Sequence, residues 1–156
     1  MKGTRELGFY APSQIKRVRL VKRADGFYIQ FCVSVDRVET VVMTGKTVGL
    51  DVGLKEFYTD SNGEIAPNPK FLRRGEAQLK RAQRLVSRKV KGGSNRQKAR
   101  VILGKRHLKI SRHRKDHAIK LARCVISSND VVVYEDLRVS NMVKNHCLAK
   151  SISDAF

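Results

Sequence analysis

Residues 47–53, TVGLDVG, and residues 131–134, VVVY, the latter followed at once by Glu135 and Asp136, decide the fold of this chain. The first is a short apolar strand that carries a single acid, Asp51, between Leu50 and Val52. The second is a continuous β-branched run of the kind that fills the interior of a parallel sheet, with Asn129 and Asp130 before it. Between the two, Phe57 to Thr59 form another strand, and the turn at Asn62 and Gly63 leads to a third near Ile65. The order is three antiparallel strands, a long helical stretch and a returning strand. A right-handed crossover sets the last strand parallel to the first, as a central strand of a mixed α/β sheet.

The crossover itself is legible. Pro67 and Pro69 end the strand pattern, and residues 70–90 place Leu72, Leu79, Ala82, Val86 and Val90 at helical intervals among Arg and Lys. Gly92, Gly93 and Ser94 interrupt the helix. Beyond them Ala99, Ile102, Arg106, Ile110, His113, His117, Leu121 and Cys124 recur every three or four residues. The two segments form a basic helical hairpin with a narrow apolar seam. Upstream, residues 15–22 and 27–35 flank the turn residues Ala24, Asp25 and Gly26 and predict a β-hairpin. One face carries Phe27, Ile29, Phe31, Val33 and Val35; the other carries Lys16, Tyr28, Gln30 and Ser34. The 156 residues have room for one small α/β domain with a short appendage.

Charge is placed unevenly. The chain carries 33 Lys and Arg against 14 Asp and Glu, a formal +19. Residues 70–123 hold 20 of the basic residues and two acids, Glu76 and Asp116, so nearly all the excess lies on the helical hairpin. A charge of that density needs a polyanion to neutralise it, and nucleic acid is the default partner. The candidate contacts are Arg73, Arg74, Lys80, Arg81, Arg84, Arg88, Lys89, Lys91, Arg96, Lys98, Arg100, Lys105, Arg106, Lys109, Arg112, Arg114 and Lys115. No apolar run approaches the ~18 residues of a membrane span, and no signal peptide is visible. Cys32, Cys124 and Cys147 are odd in number and form no CxxC, so neither a disulfide framework nor a zinc site is encoded, and a reduced, cytoplasmic setting is expected.

An acid inside an apolar strand costs free energy unless it is exposed at an opening, paired or metal-bound. If the VVVY strand lies beside the Asp51 strand, Asp51 and Glu135 converge near one end of the sheet. Carboxylates without His or Cys suit Mg²⁺ or Mn²⁺, and two such ions promote in-line phosphodiester hydrolysis by activating water and stabilising the leaving oxygen. Simpler roles compete: Asp51 as a turn-forming acid before Gly53, and Glu135 with Asp136 as a helix-start signal. His113 and His117 have metal-ligand spacing, but no acid or cysteine completes a set, so packing or phosphate contact is the reading for them.

Four linked motifs make the chain recognisable: GLDVGLKEFYTDSNGE at 49–64, NPKFLRR at 68–74, VVVYEDL at 131–137 and LAKSISDAF at 148–156. Together they resemble the TnpB (OrfB transposase) family, transposon-encoded RNA-guided DNA endonucleases related to the type V CRISPR effectors. The resemblance implies that residues 1–45 end a wedge domain, and that residues 46–156 form part of a RuvC-like domain of RNase H fold with a basic helical insertion at about 70–125. It implies catalytic, metal-binding roles for Asp51 and Glu135, two Mg²⁺ or Mn²⁺ ions in a complete site, and DNA and guide RNA as partners at the nucleoid. In the family, a third catalytic aspartate and a cysteine-rich zinc module lie beyond the position of Phe156. Asp154, in the stretch that precedes that third motif, is not assigned as a ligand. Two functions stand side by side: a partial nuclease, its third acid supplied by a C-terminal fragment, and a non-catalytic nucleic-acid-binding remnant.

If the helical hairpin neutralises six to ten phosphates, affinity for a non-specific oligonucleotide falls about 10³-fold or more between roughly 50 and 200 mM salt. Filter binding across that range checks this.

Overall fold

The computed structural model describes residues 7–36 and 43–155. The chain divides into two compact units, residues 1–41 and 42–156.

In the first unit, two 3₁₀ turns, Leu7–Phe9 and Pro12–Gln14, lead into strand β1 (Ile15–Arg23), which pairs antiparallel with β2 (Gly26–Val33). Arg23 sits opposite Gly26, so Ala24 and Asp25 make a two-residue turn, and Gly26 takes φ 153°, which favours glycine. The register sets Val18 opposite Phe31 and Leu20 opposite Ile29, on one face with Phe27. That apolar face is exposed among the described residues, Leu20 at 70%. A register irregularity between Ile15 and Arg17 corrects the expected polar face: Arg17 and Arg19 lie opposite Cys32 and Gln30.

The second unit opens with β3 (Thr47–Asp51), β4 (Glu56–Asp60) and β5 (Ile65–Pro67), joined as antiparallel neighbours. The β4–β5 turn is closed by the Asp60 carboxylate, which accepts hydrogen bonds from the Asn62 and Glu64 amides at 2.9 and 2.7 Å, with Gly63 at φ 85°. Helices α1 (Phe71–Ser87) and α2 (Ser94–Ser128) follow, then β6 (Val131–Tyr134) and the short helices α3 (Val139–Met142) and α4 (Ala149–Ala155). The strand order is β5-β4-β3-β6, with β6 parallel to β3. The return of VVVY beside TVGLD is as the sequence predicts. Its place is not: β3 is the inner strand and β6 the edge. Val48 is 2% exposed, whereas Val133, on the opposite face, is 58% exposed. The fully buried apolar residues are few and mostly small: Val48, Ala66, Ala82, Val86, Ala99 and Ile152.

The two long helices pack through small side chains. Ala82, Val86 and Ala99 are buried, and Gly75 lies so close to α2 that an added Cβ would stand 2.5 Å from Ile110 Cδ1. Gly92, at φ 84°, makes the turn between them. The Arg96 guanidinium donates to the carbonyls of Val86 and Lys89 at 3.1 and 3.0 Å, tying the start of α2 to the end of α1. No helix of the described residues is long and apolar enough to cross a membrane.

One carboxylate ties the sheet together at its lower end. Asp130, just before β6, accepts hydrogen bonds from the Thr44 amide and hydroxyl and from the Gly45 amide, the last at 2.6 Å. These bonds, the Thr44 amide first, hold its carboxyl below the usual carboxylate range. A depressed folded pKa means that the clip contributes stability above the ordinary pKa and loses it as pH falls through the folded value. Asp130→Ala is expected to lower the melting temperature and to release hydrogen-exchange protection in Val48 to Leu50 before that of α1, as native-state exchange would show.

Candidate carboxylate site and nucleic-acid interface

The parallel register pairs Thr47 with Val131 and Leu50 with Tyr134. Asp51 ends β3 and Glu135 follows the last residue of β6, so the two acids stand at the carboxyl ends of two adjacent parallel strands. Both are exposed. The acid inside the apolar strand is therefore at its end, facing water, which removes the desolvation cost of placing it there. Antiparallel pairing sets Thr59 on the other side of Asp51. Asp136 is also exposed. Among the described residues no three His, Cys, Asp or Glu side chains come together as a set able to hold a metal.

A second acid, Asp154, plays a different part. Its side chain is 2% exposed, and Oδ1 accepts a hydrogen bond from the Leu72 amide at 2.8 Å. Leu72 lies in the first turn of α1, whose N-terminus has neither a side-chain cap of its own nor an acid in its first turn. The residue at the cap position, Lys70, is left-handed at φ 50°, and its amide is taken up by Asn68 Oδ1 at 3.0 Å. Asp154 thus supplies from α4 the acceptor and the negative charge that this helix start lacks. Arg73 Nε approaches Oδ2 to 3.6 Å, and an Arg73 terminal nitrogen donates to Ser151 at 2.8 Å. Beside it, Lys150 and Lys80 both reach Glu76, which brings that carboxyl from 4.5 down to about 2. Asp154 and Glu76 together fasten α4 to α1.

Most of the predicted phosphate contacts are exposed on the helical hairpin: Arg74, Arg81, Arg84, Arg88, Lys89, Lys91, Lys98, Arg100, Lys105, Lys109 and Lys115. Others are already engaged within the protein: Arg73 and Lys80 as described, Arg96 on backbone carbonyls, and Arg106 on Gln78 at 2.7 Å. Arg114 is half-buried at the rim of a cleft. Asp116 pairs with Lys120 at 2.7 Å, so the acids of the hairpin neutralise their own neighbours and leave the excess positive charge standing.

A family model described as "Probable transposase" (OrfB_IS605) matches residues 30–146. The chain belongs to this OrfB (TnpB) transposase family. It is 44% identical over 120 residues to a protein of Streptomyces pristinaespiralis named "Putative RNA-guided DNA endonuclease", an alignment that covers 77% of this chain and 30% of that one. It is 30% identical over 131 residues to "Putative RNA-guided DNA endonuclease InsQ" of Escherichia coli K12, covering 84% of this chain and 33% of that one. The chain spans about a third of the length of these family members. The matched part of the family contains β3 to β6, and with them Asp51, Glu135 and the helical hairpin.

Of two further features in this family member, the packing of the histidines is one of the readings the sequence offers and the capping by Asp154 escapes it. His113 and His117 are packing residues: Phe71 lies edge-on to both at 5.6 and 5.8 Å, and Phe57 edge-on to His117 at 5.1 Å. Their four-residue spacing serves an aromatic cluster between the sheet and α2. The capping role of Asp154 depends on a partner 82 residues away, which no local pattern in the sequence marks. Asp154→Ala strands the Leu72 amide and leaves Arg73 without its carboxylate, at a cost of about 1–3 kcal/mol. Urea denaturation of the variant is expected to show that loss, with far-UV dichroism otherwise preserved.

Proposed function

We propose that this chain carries the first two acids, Asp51 and Glu135, of a RuvC-like metal-dependent DNA endonuclease site, on a sheet of the RNase H type. The observation that supports the reading best is the parallel β3–β6 pairing, since Asp51 ends β3, Glu135 directly follows β6, and both are exposed. In this reading residues 46–156 are part of the nuclease domain, with the basic helical insertion at about 70–125, and residues 1–45 end a wedge domain. The substrate is DNA paired with a guide RNA, as the names of both relatives would have it.

The donor set fits Mg²⁺ or Mn²⁺, since both groups are oxygen ligands at a water-accessible edge. When bound, such ions activate water and stabilise the leaving oxygen in phosphodiester hydrolysis. Asp51 and Glu135 would hold them, each fixed by its strand end rather than by a loop. The exposed Arg and Lys of the hairpin would lie along the phosphate backbone, which binds without reading sequence and leaves sequence to base pairing. With two acids at hand and no third ligand beside them among the described residues, a binding role without cleavage is the second reading.

The test is Mg²⁺- or Mn²⁺-dependent cleavage of guide-paired DNA by the 156-residue chain, alone and supplemented with the remaining C-terminal part of the Streptomyces relative. Cleavage is expected in the supplemented reaction and should drop to the metal-free background in Asp51→Ala and in Glu135→Ala, with binding unchanged. Activity that survives Asp51→Ala would sink the catalytic assignment. Salt-sensitive binding with no cleavage in any mixture would select the second reading.

A further inference from the structure

Past the carboxyl end of β3, the turn that carries the chain into β4 lines a cleft of about 320 Å³. Three cations from separate segments face it: Lys55 from that turn, Lys70 from the residue before α1, and Arg73 from the first turn of α1. Among the described residues neither Lys55 nor Lys70 has an acid beside it, although Lys70 is half-buried. Arg73 spends a donor on Ser151 and faces Asp154 at 3.6 Å, yet its side chain is 46% exposed and its fork has further N–H groups. Asp154 is the single acid in the lining, and it is already engaged by the Leu72 amide. The supports of these cations are braced. Asn68 donates to the Leu54 carbonyl at 3.3 Å and accepts the Lys70 amide at 3.0 Å, so one side chain ties together the two segments that carry the lysines.

A braced cleft of cations that the fold leaves unneutralised suits an anion with several acceptor oxygens, since ammonium and guanidinium groups both bind phosphate well. Its place in the chain says which one. Lys55 follows Asp51 by four residues, so their Cα atoms are at most about 14 Å apart. From this we infer that the cleft seats one backbone phosphate of a bound strand, a few nucleotides from the bond that Asp51 faces. A phosphate fixed there carries no sequence information but sets the register of the strand, and with it the bond presented to the carboxylates. Leu148, 45% exposed just before α4, gives the adjoining sugar an apolar surface. The inference rests on the nucleic-acid-binding part of the proposed function. It adds a discrete anchor, built from residues that neither the carboxylate pair nor the outer charge of the helical hairpin uses.

Sodium phosphate titrated into the 156-residue chain, against sodium acetate and sodium chloride at equal ionic strength, tests the cleft without nucleic acid. Proton–nitrogen NMR is expected to show saturable shifts at the Lys55 and Lys70 amides and at Arg73 Nε, smaller with acetate and absent with chloride. Lys55→Gln combined with Lys70→Gln should weaken phosphate about tenfold, each partly exposed ion pair being worth a factor of a few. Arg123→Gln combined with Lys144→Gln removes the same charge from exposed positions outside the cleft and should leave phosphate binding unchanged. On a single-stranded oligonucleotide, the cleft double variant should flatten the slope of log affinity against log salt by about 0.7, the share of one phosphate. A flattening of about 1.4 would mean that the two lysines meet separate phosphates, and would overturn the inference. So would phosphate shifts spread evenly over the cations of α2, or shifts as large with acetate or chloride. Phosphate that still seats in the cleft while no oligonucleotide binds would instead overturn the nucleic-acid reading and leave the cleft a site for free phosphate.

Discussion

The pairing of β3 with β6 governs this molecule. It joins residues 84 positions apart, Thr47 with Val131, and such a parallel contact requires a long connection between its partners. The connection is the helical hairpin, so one pairing sets both where the basic arm leaves the sheet and which strand ends stand beside each other. A slip of a single residue along β6 would turn its buried-side residues to the opposite face. The bonds of Asp130 to Thr44 and Gly45 guard against that slip, because they fix the first residue before β6 to the backbone before β3.

Elements with local patterns are the ones that a sequence reading recovers. Alternation and turn chemistry mark both hairpins, and the three-to-four spacing marks the two long helices to within a few residues. The parallel return of VVVY beside TVGLD follows from the strand order, because the crossover rule leaves few alternatives. Features that depend on distant partners stay hidden. The bonds of Asp130 and Asp154 leave no local mark, since their partners lie 86 and 82 residues away. The position of VVVY at an edge is invisible for another reason: β-branched runs describe what a strand prefers to be covered by, and here the outer face of Val133 is bare.

The division of charge also has a structural logic. Of the basic residues on the helical hairpin, several are committed to the fold: Arg73 to Asp154, Lys80 to Glu76, Arg96 to the carbonyls of Val86 and Lys89, and Arg106 to Gln78. Many of the others are exposed with little acid to offset them. Mutual repulsion along such an arm is relieved by a polyanion.

The length of α2 adds a mechanical property. Its 35 residues extend about 52 Å. His117 meets Phe57 of the sheet, both histidines meet Phe71 at the start of α1, and towards Ser94 the helix has α1 for a companion through small side chains. The aromatic contacts thus grip a stiff rod near one end, where a tilt of about 5° would carry the glycine turn through about 3 Å.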